Sequence, residues 1–277
     1  MSPENRVESI QRIAESARLQ RVVSKGGVLP APLHSEDQSF DVENQPLQRV
    51  SLDRAALRRK PVMMPEDTSA AANSYRMLRA QILRRTREHG LRSIGIVSAV
   101  DGEGKTLTAV NLALSLAEDP NQTVLLVDLD LRRPSVARVL DLPISRGLDT
   151  WLAGTAAEHE ICYAVEGMDR LFLVPTLTPV VGSSSALANA PTRELLAEMK
   201  EGRFNRLPNR LMLVDLPPLL LADDFLTVAP LLDGVVLVAR EGVTKREDLR
   251  RVQELLGATR LLGTVLNHSL QSEQRAY

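Results

Sequence analysis

Ser93-Ile94-Gly95-Ile96-Val97-Ser98-Ala99-Val100-Asp101-Gly102-Glu103-Gly104-Lys105-Thr106-Leu107 is the stretch whose reading decides the fold. Residues 93–99 form a short apolar run suited to a buried strand, and a helical pattern opens directly after the glycines, with Leu107, Val110, Leu112 and Leu114 as its apolar positions. Gly102 and Gly104 let backbone N–H groups turn toward phosphate oxygens, and the start of the following helix adds the positive end of its dipole. Lys105 reaches the β- and γ-phosphates of a bound triphosphate, and the Thr106 hydroxyl is placed to ligate Mg²⁺. Residues 101–107 (Asp101, Gly102, Glu103, Gly104, Lys105, Thr106, Leu107) are therefore predicted to cradle a nucleoside triphosphate. Ala99 stands where this pattern usually begins with glycine, so specificity comes from the order strand, glycine loop, helix.

Outward from this stretch, further β-rich runs fall at 123–128, 171–174, 211–216, 234–239 and 261–266, separated by segments of helical length. Apolar on both faces, they predict a mostly parallel sheet covered by helices on each side, a three-layer α/β/α fold. Ligands bind such sheets beyond the C-terminal ends of the strands. The second run delivers Asp128-Leu129-Asp130-Leu131-Arg132-Arg133-Pro134 at that edge. Two carboxylates at i and i+2 point the same way if the strand persists, and could share a metal or divide metal and base roles; the alternative is an ion pair of Asp130 with Arg132 or Arg133. The fourth run ends in Asp215-Leu216-Pro217-Pro218, and an Asp there suits the Mg²⁺ side opposite Thr106. Asp223 and Asp224 read as helix-capping residues, with a place near the metal as the alternative.

The rest of the chain bounds the function. Of 277 residues, 44% are hydrophobic and 25% charged, and the formal net charge of -1 gives no bulk attraction to nucleic acid. One cysteine, Cys162, rules out an internal disulfide and suits a reducing, cytoplasmic setting. His34, His89, His159 and His268 lack zinc-ligand spacing. No apolar run approaches the roughly 20 residues of a membrane helix, and no secretory leader pattern opens the chain, so any membrane association is expected through a partner. Residues 4–19 show one apolar helix face (Val7, Ile10, Ile13, Ala14, Ala17), which docks either on this chain or on a partner. Residues 24–69, with Pro30, Pro32, Pro46, Pro61 and Pro65, read as a linker of low order with at most one weak helix near 47–59. The expected organisation is thus a largely disordered segment 1–69, a nucleotide-binding domain 70–269 opened by a basic helix that Gly90 ends, and a flexible tail 270–277.

Three segments, GEGKT after a strand, LLVDLDLRRP and LMLVDLPP, together resemble the bacterial tyrosine autokinases of capsule and exopolysaccharide synthesis, a family of P-loop NTPases. The likeness extends from about residue 74 to 269. It implies ATP and Mg²⁺ as cofactors and transfer of the γ-phosphoryl to a tail tyrosine, here Tyr277. Carried over, Lys105 and Thr106 hold phosphates and Mg²⁺, Asp215 completes the metal site, Asp128 is the base or a further metal residue, and Asp130 and Arg132 finish the acidic catalytic motif, with Lys105 also catalytic. Asn267 either bonds adenine, as in related ATPases, or shapes a turn. The resemblance also implies a homo-oligomer and a membrane chain-length regulator of polysaccharide export as activating partner, placing the chain peripherally at the inner membrane. Asn73 replaces the glutamate of the family's Glu-x-x-Arg-x-x-Arg assembly pattern, while Arg76 and Arg79 remain, and the tail holds one tyrosine instead of a cluster. Two other functions compete: an ATP-binding regulator without kinase activity, and a partition-type ATPase switch, against which Val100 stands where that class places a second lysine.

Overall fold

The computed structural model describes residues 47–202 and 209–269. The amphipathic segment 4–19 and the tail with Tyr277 lie outside the described residues. Eight strands form one sheet in the order β1-β4-β5-β3-β6-β2-β7-β8. They are β1 (Gln48–Val50), β2 (Ser93–Ser98), β3 (Thr123–Asp128), β4 (Tyr163–Val165), β5 (Leu171–Val174), β6 (Arg210–Asp215), β7 (Gly234–Arg240) and β8 (Leu261–Asn267). Every pairing is parallel except β4 with β5. Strands β2, β3 and β6 are buried at every position, as strands covered on both faces must be.

Alternation along the central strands sorts side chains into two cores. Ile94, Ile96, Val124, Leu126, Leu211 and Leu213 face one way, where Val110, Leu114, Ile82 and Leu83 cover them. Val97, Leu125, Val127, Met212 and Val214 face the other, beneath Leu195, Met199, Phe225 and Val252. The three-layer expectation is met. The helix Ala70–His89 carries its own limits: the Ser69 hydroxyl accepts from Ala72 N, and Gly90 takes the left-handed conformation (φ 64°) just past its end. Two of its arginines, Arg76 and Arg79, are spent within the chain. Arg76 donates to Asn73 Oδ1 and to the carbonyls of Pro65 and Asp67, and Arg79 to the Ser115 carbonyl and the Glu118 carboxylate.

The low order expected up to residue 69 does not hold for residues 47–69. This segment pairs β1 with β4, makes a single helical turn (Arg54–Leu57) capped by Asp53, and buries Val50, Leu57, Val62 and Met64 in the first core. Asn111 clamps it, accepting from Met63 N (2.9 Å) and donating to the Pro61 carbonyl (3.0 Å). The proline-rich composition concealed four apolar anchors whose spacing follows neither helix nor strand period, because they sit on an irregular strap. Leu57 is fully buried. Leu57→Ala is expected to lower stability by about 3 kcal/mol in urea unfolding, whereas a strap that contributes nothing would leave the midpoint unchanged.

Candidate nucleotide and phosphoryl-transfer site

The glycine loop leaves β2 and enters the helix Lys105–Leu116 at the C-terminal edge of the sheet. Gly104, at φ 91°, must be glycine twice over: the backbone is left-handed, and a Cβ would fall 2.0 Å from Asn267 Nδ2. Asn267, at the end of β8, donates to the Glu103 carbonyl (3.0 Å), and its Oδ1 accepts from His268 N. Its amide thus braces the phosphate loop from the outermost strand. Arg240 Nη1 donates to the Gly102 carbonyl (3.2 Å). Glu103 turns inward and is buried, while Leu107 packs on the first core, so both belong to the loop through their backbone. Asp101 points outward to an exposed ion pair with Arg133.

Lys105, Thr106, Asp128, Asp130 and Asp215 are brought together. Lys105 Nζ lies 2.5 Å from Asp130 Oδ2 and 3.4 Å from Thr106 Oγ1. The Ser135 hydroxyl donates to Thr106 Oγ1 (3.2 Å). Strand β3 ends at Asp128, so the two carboxylates of the acidic motif do not share a strand face. Instead Asp128 organises the loop: Oδ1 accepts from Asp130 N (3.1 Å), and Oδ2 from Ser135 N (3.0 Å) and Val136 N (2.9 Å). Asp130 pairs with Lys105 and accepts from Arg133 N, not from the Arg132 side chain. Arg132 reaches away, to Asp223 Oδ1 (2.6 Å) and to the buried Asp224 Oδ2 (2.8 Å). Asp223 takes the N-cap position of the helix Asp224–Val228, as expected, but its side chain makes no cap bond and is spent on Arg132. Sequence reasoning missed Ser135, Arg240 and the partners of Arg132, which lie 91 and 92 residues away; no local pattern marks such pairs.

Asp128 and Asp215 stand opposite each other in the β3–β6 register, both fully buried. Burial pushes the Asp128 carboxyl well above the usual range, and the neighbouring Asp215 charge adds to it. Burial likewise pushes Asp215 up to about 6, with Lys105 and the Thr106 hydroxyl working against the rise. Neither Asp215 oxygen completes a hydrogen bond of ordinary geometry, although the Thr106 hydroxyl is near enough to hold the carboxyl down. Burial works against the Lys105 charge, yet Asp215, Asp130 and Asp128 together hold its ammonium above the usual range. Two buried carboxylates, that of Asp215 with both oxygens orphaned, beside a threonine hydroxyl are a hard oxygen donor set, which fits Mg²⁺. Among the described residues no cluster of three or more acidic, histidine or cysteine side chains forms a complete metal cage.

The sign of the pH dependence follows. The folded site keeps the Asp215 proton to about 6 while the unfolded chain releases it near 3.8, so the native state binds more protons across that window and stability falls as pH rises through it. In chelator-treated protein, the stability of wild type relative to Asp215→Asn is expected to drop by roughly 2 kcal/mol between pH 4 and pH 7. A pH-independent difference in urea unfolding would contradict the assignment.

A family model described as ParA: NUBPL iron-transfer P-loop NTPase matches residues 91–275. Tyrosine-protein kinase YwqD of Bacillus subtilis is 29% identical over 224 residues, 80% of this chain and 91% of that protein. Tyrosine-protein kinase CpsD of Streptococcus agalactiae is 30% identical over 177 residues, 63% of this chain and 74% of that one. Among solved structures, the kinase domain of VpsO superposes with a TM-score of 0.61 at 26% identity, over 71% of this chain and 95% of that domain. With the phosphate loop, the buried Asp128 and Asp215 and the acidic loop in the arrangement described above, the chain belongs to the bacterial tyrosine kinases within the ParA-type P-loop NTPases.

Proposed function

We propose that this chain is an ATP-dependent protein-tyrosine autokinase of polysaccharide synthesis and export, with Tyr277 as acceptor. The observation that carries the reading is the convergence of Lys105, Thr106, Asp130 and the Asp128–Asp215 pair at one sheet edge. Phosphoryl transfer asks little covalent work of a protein: it needs charge neutralisation, positioning and a carboxylate at the incoming hydroxyl. Lys105 is assigned to the β- and γ-phosphates, and the loop N–H groups to the remaining phosphate oxygens. Thr106, Asp215 and Asp128 would hold Mg²⁺, which supplies positive charge against the phosphates. Asp128 has both oxygens held by backbone N–H groups, whereas Asp130 has one held that way, Oδ1 by Arg133 N, and the other, Oδ2, held by the Lys105 side chain, which bound phosphates would draw away. Asp130 is therefore the carboxylate assigned to orient the tyrosine hydroxyl and take its proton. Arg132, fixed by Asp223 and Asp224, flanks this loop.

The acceptor assignment rests on elimination within the sequence's three tyrosines. Tyr163 is buried with its hydroxyl donating to the Arg146 carbonyl, and Tyr75 lies half-buried on the helix Ala70–His89. The one cysteine is buried in the second core and gives no support to an iron-cluster cargo. No helix among the described residues is long and apolar enough to cross a membrane. A cytoplasmic chain recruited to the inner membrane by a polysaccharide chain-length regulator fits that observation. Homo-oligomers remain part of the reading, although Arg76 and Arg79 are engaged inside the chain and would need to exchange partners to serve an interface.

Purified protein incubated with ATP and Mg²⁺ is expected to gain phosphate on Tyr277, located by tandem mass spectrometry, and Lys105→Met is expected to gain none. Wild-type protein that binds Mg·ATP yet stays unphosphorylated would replace this reading with that of a nucleotide-binding regulator.

A further inference from the structure

The turn between β7 and the helix Arg246–Leu256 touches the phosphate loop through one hydroxyl. Thr244 Oγ1 donates to Glu103 Oε1 and at the same time accepts from Arg240 N (2.7 Å). The other Glu103 oxygen, Oε2, accepts from Val100 N (2.9 Å), at the start of the same loop. Glu103 is 1% exposed, so the structure buries a carboxylate inside the phosphate loop and satisfies it from a residue 141 positions away. Its neighbours Gly102 and Gly104 have φ of 76° and 91°, and a Cβ on Gly102 would meet nothing within 4 Å. Glycines of this kind impose little conformational preference of their own. Besides the bonds of Asn267 and Arg240 to the loop carbonyls, what holds the loop in its curve at Glu103 is the carboxylate anchored at both oxygens.

We propose that Thr244 is a positioning residue for nucleotide binding, acting through the buried Glu103 carboxylate to fix the N–H groups of residues 102–106. This rests on the ATP-binding reading above. Thr244 belongs to neither apolar core, and its side-chain hydrogen bonds run only to the loop and to its own turn. Removing the hydroxyl strips one Glu103 oxygen of its donor and Arg240 N of its acceptor, and a buried polar group left unpaired is costlier than an absent one. The loop is then freed to relax toward water while the sheet below it is untouched.

The test compares Thr244→Val, which keeps shape without the hydroxyl, with Thr244→Ser, which keeps the hydroxyl. Three quantities are measured: affinity for Mg·ADP by calorimetry, melting temperature, and hydrogen exchange of the amides of residues 100–106. Thr244→Val is expected to weaken Mg·ADP about tenfold and to speed exchange in the loop, with exchange in the sheet unchanged and Thr244→Ser close to wild type. Wild-type affinity and exchange in Thr244→Val would overturn the proposal. So would a loss of affinity matched by a lower melting temperature and faster exchange throughout the sheet, since that marks a general packing role. Should wild type itself fail to bind Mg·ADP, the ATP-binding reading falls, and loop exchange alone decides on Thr244: equal protection in wild type and Thr244→Val overturns the brace.

Discussion

Parallel register among β2, β3 and β6 is the constraint on which everything else rests. Because β3 and β6 run the same way and pair in step from Thr123–Arg210 to Asp128–Asp215, both strands present a carboxylate at the same level. Ile96 of β2 pairs with Asp215 in turn, which brings the glycine loop to that level too. A slip of one residue would send Asp215 to the opposite face and leave the loop without its acidic partner. The register is secured by apolar side chains buried on both faces, so the layers of helices are as necessary to the site as the loop itself.

That geometry is electrostatically expensive. Asp128 and Asp215 are driven toward protonation by burial, and each needs compensation. The chain supplies part of it: three backbone N–H groups on Asp128, and Lys105 near Asp215. The orphaned oxygens of Asp215 show where compensation from the protein stops. A site tuned this way favours a divalent cation, whose charge offsets that of the two buried carboxylates.

Most of this was legible in the sequence wherever local pattern and position coincide. The central strands and the glycine loop were written as continuous apolar runs and a strand–loop–helix order, and Asp128 and Asp215 as carboxylates at strand ends. Strands β1 and β4 escaped because three residues carry no readable period, and β1 lies in a proline-rich setting. The strap 47–69 was misread because its anchors are spaced by irregular backbone. Within the site, what escaped is what only folding brings together: Asp224 on Arg132, Asn267 against Gly104, Thr244 on Glu103, Ser135 on Thr106. Each pair is separated by a crossover of the sheet, and the residues concerned look locally like ordinary turn formers.

The Lys105–Asp130 contact gives the site an internal occupant. Lys105 is 12% and Asp130 3% exposed at the side chain, so their attraction is little screened by salt. If Lys105 takes the phosphates of a nucleotide as proposed, binding is a displacement, in which phosphate oxygens must outcompete a carboxylate present at high effective concentration. Ligands too short to place a terminal phosphate at the lysine cannot make that exchange, which sorts triphosphate from nucleoside without any contact to the base. On the assignment proposed above, the same exchange unmasks Asp130 when the donor is seated. Loading the site and arming its proton acceptor then become one event, and an acceptor hydroxyl arriving first finds the carboxylate already engaged.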